Sequence, residues 1–221
     1  MWDRLRVDQR HVTMFPPSFF SRGDETDDSE FYAFDRLVTH IDDGAIAAVG
    51  ELYNKLGLCG PSSGPVLDIC SSWISHFPTK PERLVITGMN KTELTANEMA
   101  DEWLVKDINA DPTLPFADAS FTAVTCCVSV DYLHKPLDVF AEVRRILRPN
   151  GVFVCTFSNR CFPTKAIRGW LATDDVGRCR IVETYFDVTS GFDEPTTQLC
   201  NGGAPGDPLY AVSATRSVTQ T

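Results

Sequence analysis

Short apolar runs alternate with amphipathic stretches along most of this chain. The runs are apolar on successive residues, which is typical of strands buried on both faces. They predict strands at 66–69, 83–89, 104–108, 120–130, 151–158, 180–188 and 208–216. Apolar residues at helical spacing predict helices at 42–57, 71–77, 91–103, 136–148 and 163–173.

The order of these elements predicts an α/β protein with a doubly wound, mostly parallel sheet. No helical pattern separates 180–188 from 208–216. Because a parallel crossover normally needs a connecting helix, these two strands are expected to pair antiparallel. We expect one domain, with an N-terminal arm and lid helix over 1–60 and the core over 64–216.

Net charge and cysteine content exclude several classes of partner. The chain has 221 residues and a formal net charge of −10. An acidic surface repels phosphate backbones, so a nucleic-acid partner is disfavoured. The 8 cysteines form no C-x-x-C pair, and no histidine lies at zinc-ligand spacing from a cysteine pair. We therefore predict no metal site and a reduced, intracellular protein.

Hydropathy predicts a protein without a membrane partner. No apolar run approaches the roughly 20 residues that a membrane span needs. The N-terminus is charged and has no secretory h-region. We expect a cytoplasmic location, or an organelle such as a plastid if a transit peptide has been removed.

The central block DINADPTLPFADASFTAVTCCVSVDYLHKPLDVFAEVRRILRPNGVFVCTFSN carries a connected series of motifs. An acidic residue and LPF come first, followed by DASF, a long strand ending near LHKP, and EVRRILRPNG. In this order they resemble the class I S-adenosylmethionine-dependent methyltransferases of the small-molecule type 11 group, over residues 64–160. The resemblance implies a seven-stranded Rossmann-like sheet with an antiparallel strand pair, S-adenosylmethionine as cofactor, and methyl transfer to a small-molecule acceptor.

The first motif departs from this family. Its usual D-x-G-x-G-x-G is replaced by Asp68-Ile69-Cys70-Ser71-Ser72-Trp73. Glycines permit positive φ and a close ligand, whereas another residue in the left-handed region costs about 1–2 kcal/mol. The hydroxyls of Ser71 and Ser72 are expected to bind the methionine carboxylate instead. The stretches SSWISHFP and FYAFDRLVTHID resemble a subgroup with this variant loop, and they add Arg36 and His40 to the candidates.

The other predicted cofactor positions follow the second and third strands. Where the family has an acid for the ribose hydroxyls, this chain has Met89 and Asn90. A neutral amide accepts a weaker bond than a carboxylate does, so weaker cofactor binding is expected. Glu93 is the less favoured alternative. Asp107 and Ile108 precede LPF as the family's adenine-contacting residues do, with turn capping as the alternative for Asp107.

Ligands of doubly wound sheets bind beyond the carboxyl ends of the strands, which locates the remaining candidates. At the end of the fourth strand these are Ser129, Asp131, Tyr132 and His134. The serine is predicted to contact the cofactor, the next two residues the acceptor, and the histidine to act as general base. Arg36, His40 and Asn159 are predicted to bind the acceptor, with His40 also a catalytic candidate. Packing or a structural hydrogen bond is the alternative for each.

Two other classes compete with an active methyltransferase. A catalytically inactive methyltransferase-fold binding protein is favoured by the altered loop and the missing ribose acid, and opposed by the intact LPF block. A nicotinamide dehydrogenase would also need the glycines and the ribose acid, and its sheet would lack the final strand pair. The sequence identifies neither the acceptor nor the methylated atom, and a monomer or a homodimer is expected.

Overall fold

A computed structural model of the protein describes residues 15, 16 and 18–218. Its strands are β1 (Pro65–Ile69), β2 (Arg83–Gly88), β3 (Glu102–Val105), β4 (Phe121–Cys127), β5 (Leu147–Phe157), β6 (Thr196–Leu199) and β7 (Tyr210–Thr215). They form one sheet in the order β3-β2-β1-β4-β5-β7-β6. The strands from β1 to β5 pair in parallel, while β7 runs antiparallel to both β5 and β6. The predicted sheet and its antiparallel end are confirmed.

Six helices connect or flank these strands within the described residues. They are α1 (Asp28–Phe31), α2 (Asp43–Lys55), α3 (Lys91–Ala96), α4 (Pro136–Ile146), α5 (Arg168–Leu171) and α6 (Asp175–Thr189). Asp42 caps α2 by accepting a hydrogen bond from the Ala45 amide at 2.8 Å. Pro136 begins α4, where its missing N–H costs least. None of the helices described has the length and apolar character needed to cross a bilayer.

The sixth strand lies elsewhere than the sequence predicts. Residues 180–188, predicted as a strand, belong to α6, and β6 occupies 196–199 in the predicted loop. β-Branched and aromatic residues in RIVETYFDV favour a strand. However, Ile181 and Tyr185 are four residues apart and bury one face of a helix, and Asp174 caps its start. Packing against the sheet therefore outweighs intrinsic propensity here.

Three of the predicted helices are absent or shortened. The helix predicted over 163–173 forms only as α5 (Arg168–Leu171). Residues 71–77 form an irregular loop rather than helical turns. The helix predicted over 91–103 ends at Ala96, and the strand expected at 104–108 lies at 102–105 instead. The side chain of Asn97 explains the early end, because it hydrogen-bonds to the loop and to its own neighbouring backbone rather than continuing the helix.

Apolar side chains cover both faces of the sheet. Successive residues of β1 enter opposite cores: Leu67 packs with Phe140 and Tyr185, whereas Val66 packs with Tyr53. Burial on both faces is the physical origin of the continuous apolar runs in the sequence.

Aromatic side chains dock the first described residues onto the core. The Phe19 ring centroid lies 4.7 Å from that of Phe15 and 5.1 Å from that of Phe20. Gly169 permits this contact, because a Cβ there would overlap the Phe19 ring.

A buried ionic network fixes the next turn of the arm. The Arg22 guanidinium donates to both carboxylate oxygens of Asp28, at 2.7 and 2.8 Å. Lys165 is fully buried; its Nζ donates to the Thr26 carbonyl at 2.8 Å and lies 3.2 Å from the Asp28 carboxylate. Since buried charges are tolerated only when paired, this network holds the segment 28–41 in place over the ends of the strands.

Candidate active site

A cleft of about 620 Å³ lies at the carboxyl ends of the five parallel strands β1 to β5. The segment 28–41 forms one of its walls. Clefts of this size typically hold small-molecule ligands and cofactors. This edge of the sheet is also where doubly wound folds bind them.

All but two of the predicted site residues line this cleft. They are Arg36, His40, Asp68, Cys70, Ser71, Ser72, Met89, Asn90, Asp107, Ile108, Ser129, Tyr132 and Asn159. The structure thus brings together side chains from the arm and from five strand ends, and the individual roles assigned to them stay predictions.

Asp131 and His134 lie behind the wall of the cleft. The 3-10 turn Val130–Tyr132 directs Tyr132 into the cleft and Asp131 into the protein. Asp131 is 3% exposed, its Oδ2 has no hydrogen-bond partner in the described part of the chain, and burial raises its pKa to about 7. His134 is partly buried, and its backbone amide donates to Asn109 Oδ1 at 3.1 Å. The direct acceptor contacts predicted for these two residues are therefore absent from this arrangement.

The glycine-free loop keeps a glycine-like backbone. Cys70 has a φ of 54°, in the left-handed region, and Val128, at the end of the neighbouring strand β4, has a φ of 45°. Both conformations are costly for residues with a Cβ, most of all for a β-branched one. Strain of this kind concentrates at functional sites, where the surrounding structure holds it. Two such residues at the ends of neighbouring strands therefore make this cleft the candidate functional site.

The close approach that the family's glycines provide is supplied here by β2. The Ser71 amide donates to the Thr87 carbonyl at 2.6 Å. A Cβ on Gly88 would overlap the Ser71 carbonyl oxygen. The bulky loop therefore fits because Gly88 of the neighbouring strand, rather than a residue of the loop, lacks a side chain at the contact.

Asp68 organises the loop from within the sheet. Its carboxylate accepts hydrogen bonds from the hydroxyls of Ser71 at 2.6 Å, Thr125 at 2.6 Å and Ser75 at 2.9 Å. Burial raises the pKa of Asp68, and the three hydroxyl bonds act in the opposite direction. The Ser71 hydroxyl is thus used inside the protein, which differs from the predicted contact with a ligand carboxylate.

We expect Cys70→Gly to be more stable than Cys70→Ala by about 1 kcal/mol, because only glycine adopts positive φ without strain. Urea unfolding of both variants measures the difference. Ala47→Gly, on the exposed side of α2, is the control, and there glycine should instead cost about 1 kcal/mol. Equal or greater stability of Cys70→Ala would contradict the left-handed conformation.

Asn90 has a structural role that the sequence did not reveal. Its Oδ1 accepts from the Glu93 amide at 3.0 Å and so caps α3, while its Nδ2 donates to the Tyr32 carbonyl at 3.1 Å and to Asp35 Oδ1 at 2.9 Å. The side chain predicted to bind a ribose therefore ties the arm to the sheet.

Glu93 supplies the carboxylate that the sequence placed only as an alternative. It lines the cleft, and it accepts hydrogen bonds from Ser72 Oγ at 2.6 Å and the Arg36 amide at 2.7 Å. The spacing Asn-x-x-Glu resembles a capping box, in which the glutamate would bond back to the residue that caps its own helix. Here Glu93 bonds to the loop and the arm instead. The Asn-x-x-Glu spacing was the signal in the sequence that pointed to this residue.

Asp107 caps a turn, as one of the two predicted alternatives expected, and its contact with an adenine stays a prediction. It lines the cleft, and its Oδ1 also accepts from the amides of Asn109 at 2.8 Å and Ala110 at 3.0 Å, which caps a turn. The Asn109 side chain, in turn, donates to Asp28 at 3.1 Å and to the Tyr132 carbonyl at 3.0 Å. The segment 107–109 therefore connects this part of the cleft to the arm at Asp28.

Aromatic side chains shape the other end of the cleft, after β5. Phe162 packs edge-on against Phe31 and His40, both with centroids 5.3 Å away, and tilts toward Tyr132 at 5.9 Å. Neither Phe31 nor Phe162 was predicted as a site residue; the paired aromatics FY in the arm and the CFP turn after β5 were the only signals. Within the residues described, no group of His, Cys, Asp and Glu side chains is arranged to hold a metal ion.

The strand order and the position of the cleft define the class I S-adenosylmethionine-dependent methyltransferase fold. A family model described as "Methyltransferase domain" matches residues 75–155, beginning just after the glycine-free loop. Over these residues the chain is similar to that family, and its fold is the one that the class I methyltransferases share.

Similar proteins were found among curated sequences and solved structures. The C-methyltransferase UbiE of ubiquinone/menaquinone biosynthesis from Dinoroseobacter shibae is 37% identical over 78 residues, which are 35% of this chain and 30% of that protein. Geranyl diphosphate C-methyltransferase from Streptomyces coelicolor has a TM-score of 0.52 at 14% identity, covering 77% of each chain. A methyltransferase from Mesorhizobium loti has a TM-score of 0.51 at 13% identity, covering 76% of this chain and 98% of that one. At these identities the structural likeness shows the fold.

Proposed function

We propose that this protein transfers a methyl group from S-adenosylmethionine to a small-molecule acceptor. The observation that carries the proposal is the loop at the end of β1, which keeps a left-handed residue at Cys70 and a close backbone contact at Gly88 although its own glycines are gone. A strained loop is maintained where its shape is used. The cofactor supplies an activated methyl group, and the protein supplies binding, orientation and exclusion of water.

Three parts of the cleft would hold the cofactor. The amides of Ser72 and Trp73 donate to no acceptor in the described part of the chain, and they suit a carboxylate. The Glu93 carboxylate suits the ribose hydroxyls, because charge-assisted hydrogen bonds are roughly twice as strong as neutral ones. Asp107 and the buried Ile108 suit the adenine.

The acceptor would bind among the side chains between the arm and β5. Tyr132 Oη accepts a hydrogen bond from the Phe162 amide at 2.8 Å, which leaves its own proton available to a ligand. Partial desolvation by the surrounding cleft lowers the pKa of the exposed His40, so its imidazole is neutral at pH 7 and able to accept a proton. The curated relative is named for C-methylation, and a carbon acceptor is accordingly one class to test.

A catalytically inactive binding protein is the second candidate. It is favoured by the hydroxyls of Ser71 and Ser72 and the amide of Asn90, all of which are already bonded within the protein. Calorimetry with S-adenosylhomocysteine, followed by mass detection of methylated products in metabolite pools, separates the two candidates. Cofactor binding with product formation supports the enzyme, and no detectable binding at millimolar ligand supports the second candidate.

We expect Glu93→Gln to weaken S-adenosylhomocysteine binding about tenfold, because a neutral amide replaces a charged acceptor at a cost of about 1.4 kcal/mol. The amide oxygen can still accept from Ser72, so the loop should stay folded. Glu98→Gln, an exposed change of equal charge just after α3, is the control and should leave the affinity unchanged. Equal affinities of the two variants would show that Glu93 does not bind the cofactor.

A further inference from the structure

Arg36 is enclosed by aromatic rings at the acceptor end of the cleft. Its Cζ lies 4.5 Å from the Phe31 centroid, 5.6 Å from that of Phe162 and 5.9 Å from that of Tyr32. Two of its N–H groups donate to backbone carbonyls, those of Phe31 at 2.8 Å and Phe34 at 3.2 Å. The rings cover part of the half-buried guanidinium, and its remaining N–H groups are left for another acceptor.

No carboxylate of the described residues lies within ion-pair distance of this guanidinium. Glu93 bonds to the Arg36 main chain instead, and Asp28 is neutralised by Arg22 and Lys165. In a chain of net charge −10, an unpaired cation on a cleft wall is an exception to the prevailing charge. Arg160 lines the same end and adds a second cation, which lies 3.4 Å from Asp207 at the exposed rim.

The main chain and the side chain of Arg36 face different parts of the cleft. Its amide bonds to Glu93, which also holds Ser72 of the β1 loop. Its guanidinium extends instead toward Phe162, which follows β5. The charge is therefore presented at the acceptor end, away from the loop at the cofactor end.

The geometry points to Arg36 as the binding site for an anionic group, a carboxylate or phosphate, on an aromatic methyl acceptor. This inference rests on the proposed function and names the acceptor class for the same site. A guanidinium binds either anion through two parallel hydrogen bonds. The rings of Tyr32, Tyr132 and Phe162 line the same end and can pack against an aromatic body.

Benzoate, phenyl phosphate and benzamide serve as probes, titrated calorimetrically into the protein with and without saturating S-adenosylhomocysteine. We expect saturable binding of at least one anion and at least about tenfold weaker binding of benzamide, the neutral analogue of benzoate. Arg36→Gln should abolish the preference for anions. Arg168→Gln, an exposed arginine of α5 outside the cleft, should keep it. The relative affinity of the two anions distinguishes a carboxylate acceptor from a phosphate one.

Two results would overturn the inference while leaving the proposed function intact. One is cofactor binding with no saturable anion binding. The other is a loss of S-adenosylhomocysteine affinity in Arg36→Gln with unchanged anion binding, which would assign this arginine to the cofactor. If the protein binds benzoate through Arg36 but does not bind S-adenosylhomocysteine, the proposed function fails and the anion site stands.

Discussion

Replacing Gly88 with alanine should abolish measurable S-adenosylhomocysteine binding and destabilise the fold. The added Cβ would overlap the Ser71 carbonyl oxygen, which belongs to the backbone and cannot rotate away as a side chain can. Overpacking at a buried contact costs about 1–3 kcal/mol of unfolding free energy, and more where backbone must move. A shift of the loop displaces both Cys70 and Ser72, so a micromolar affinity is expected to fall by about a thousandfold or more, below what calorimetry detects.

Calorimetry and urea unfolding measure the two effects of Gly88→Ala separately. Gly44→Ala in the first turn of α2 is the matched control, because a Cβ there meets only the Asp42 side chain at 3.4 Å. That variant should bind the cofactor normally and be as stable as the wild type or more so. If Gly88→Ala bound S-adenosylhomocysteine with unchanged affinity, the close packing of loop and strand would not define the cofactor site.

Asp131→Asn should stabilise the protein at pH 8 and remove part of its pH dependence. Burial raises the pKa of Asp131 to about 7, above its value of about 3.9 in the unfolded chain. Between about pH 4 and about pH 7 the folded protein therefore holds a proton that the unfolded chain has released, and the free energy of unfolding falls as the pH rises. At about 1.4 kcal/mol per pKa unit the complete loss amounts to a few kcal/mol.

The asparagine side chain does not ionise, so the free energy of unfolding of the Asp131→Asn variant should not decline with pH in this way. We expect a gain of about 1–3 kcal/mol at pH 8, because the buried amide has its own unmet hydrogen bonds. Urea unfolding at several pH values measures both profiles. Asp187→Asn, on the exposed part of α6, controls for the charge and should decline as the wild type does. Parallel profiles for wild type and Asp131→Asn would show that this carboxyl is ionised in the folded protein.

The fold could be predicted where sequence periodicity and tertiary packing agree. Apolar runs such as 83–89 and 151–158 locate β2 and the second half of β5, because burial on both faces leaves a direct trace in the sequence. The run 180–188 misleads, since its β-branched and aromatic residues favour a strand while the sheet surface accepts them as a helix. Periodicity over nine residues does not decide between these outcomes.

The positions of the site residues could be predicted better than their bonds. Ends of parallel strands meet at one edge, so residues from Asp68 to Asn159 were correctly expected to lie together. The partners of Ser71, Ser72 and Asn90 depend on long-range contacts with Asp68, Glu93 and the arm. No local pattern encodes these contacts. The buried Lys165 holds the arm in position. The sequence around this lysine does not distinguish it from an exposed one.

Titration of S-adenosylhomocysteine into the purified protein by calorimetry tests the central claim most directly. A loop that keeps the shape of a glycine-rich cradle should bind one ligand per chain with a dissociation constant in the micromolar range, equivalent to about 8 kcal/mol. Gly88→Ala should eliminate the heat of binding, and Gly44→Ala should preserve it. No heat of binding at millimolar ligand would contradict the account, and this cleft would then not be a cofactor site.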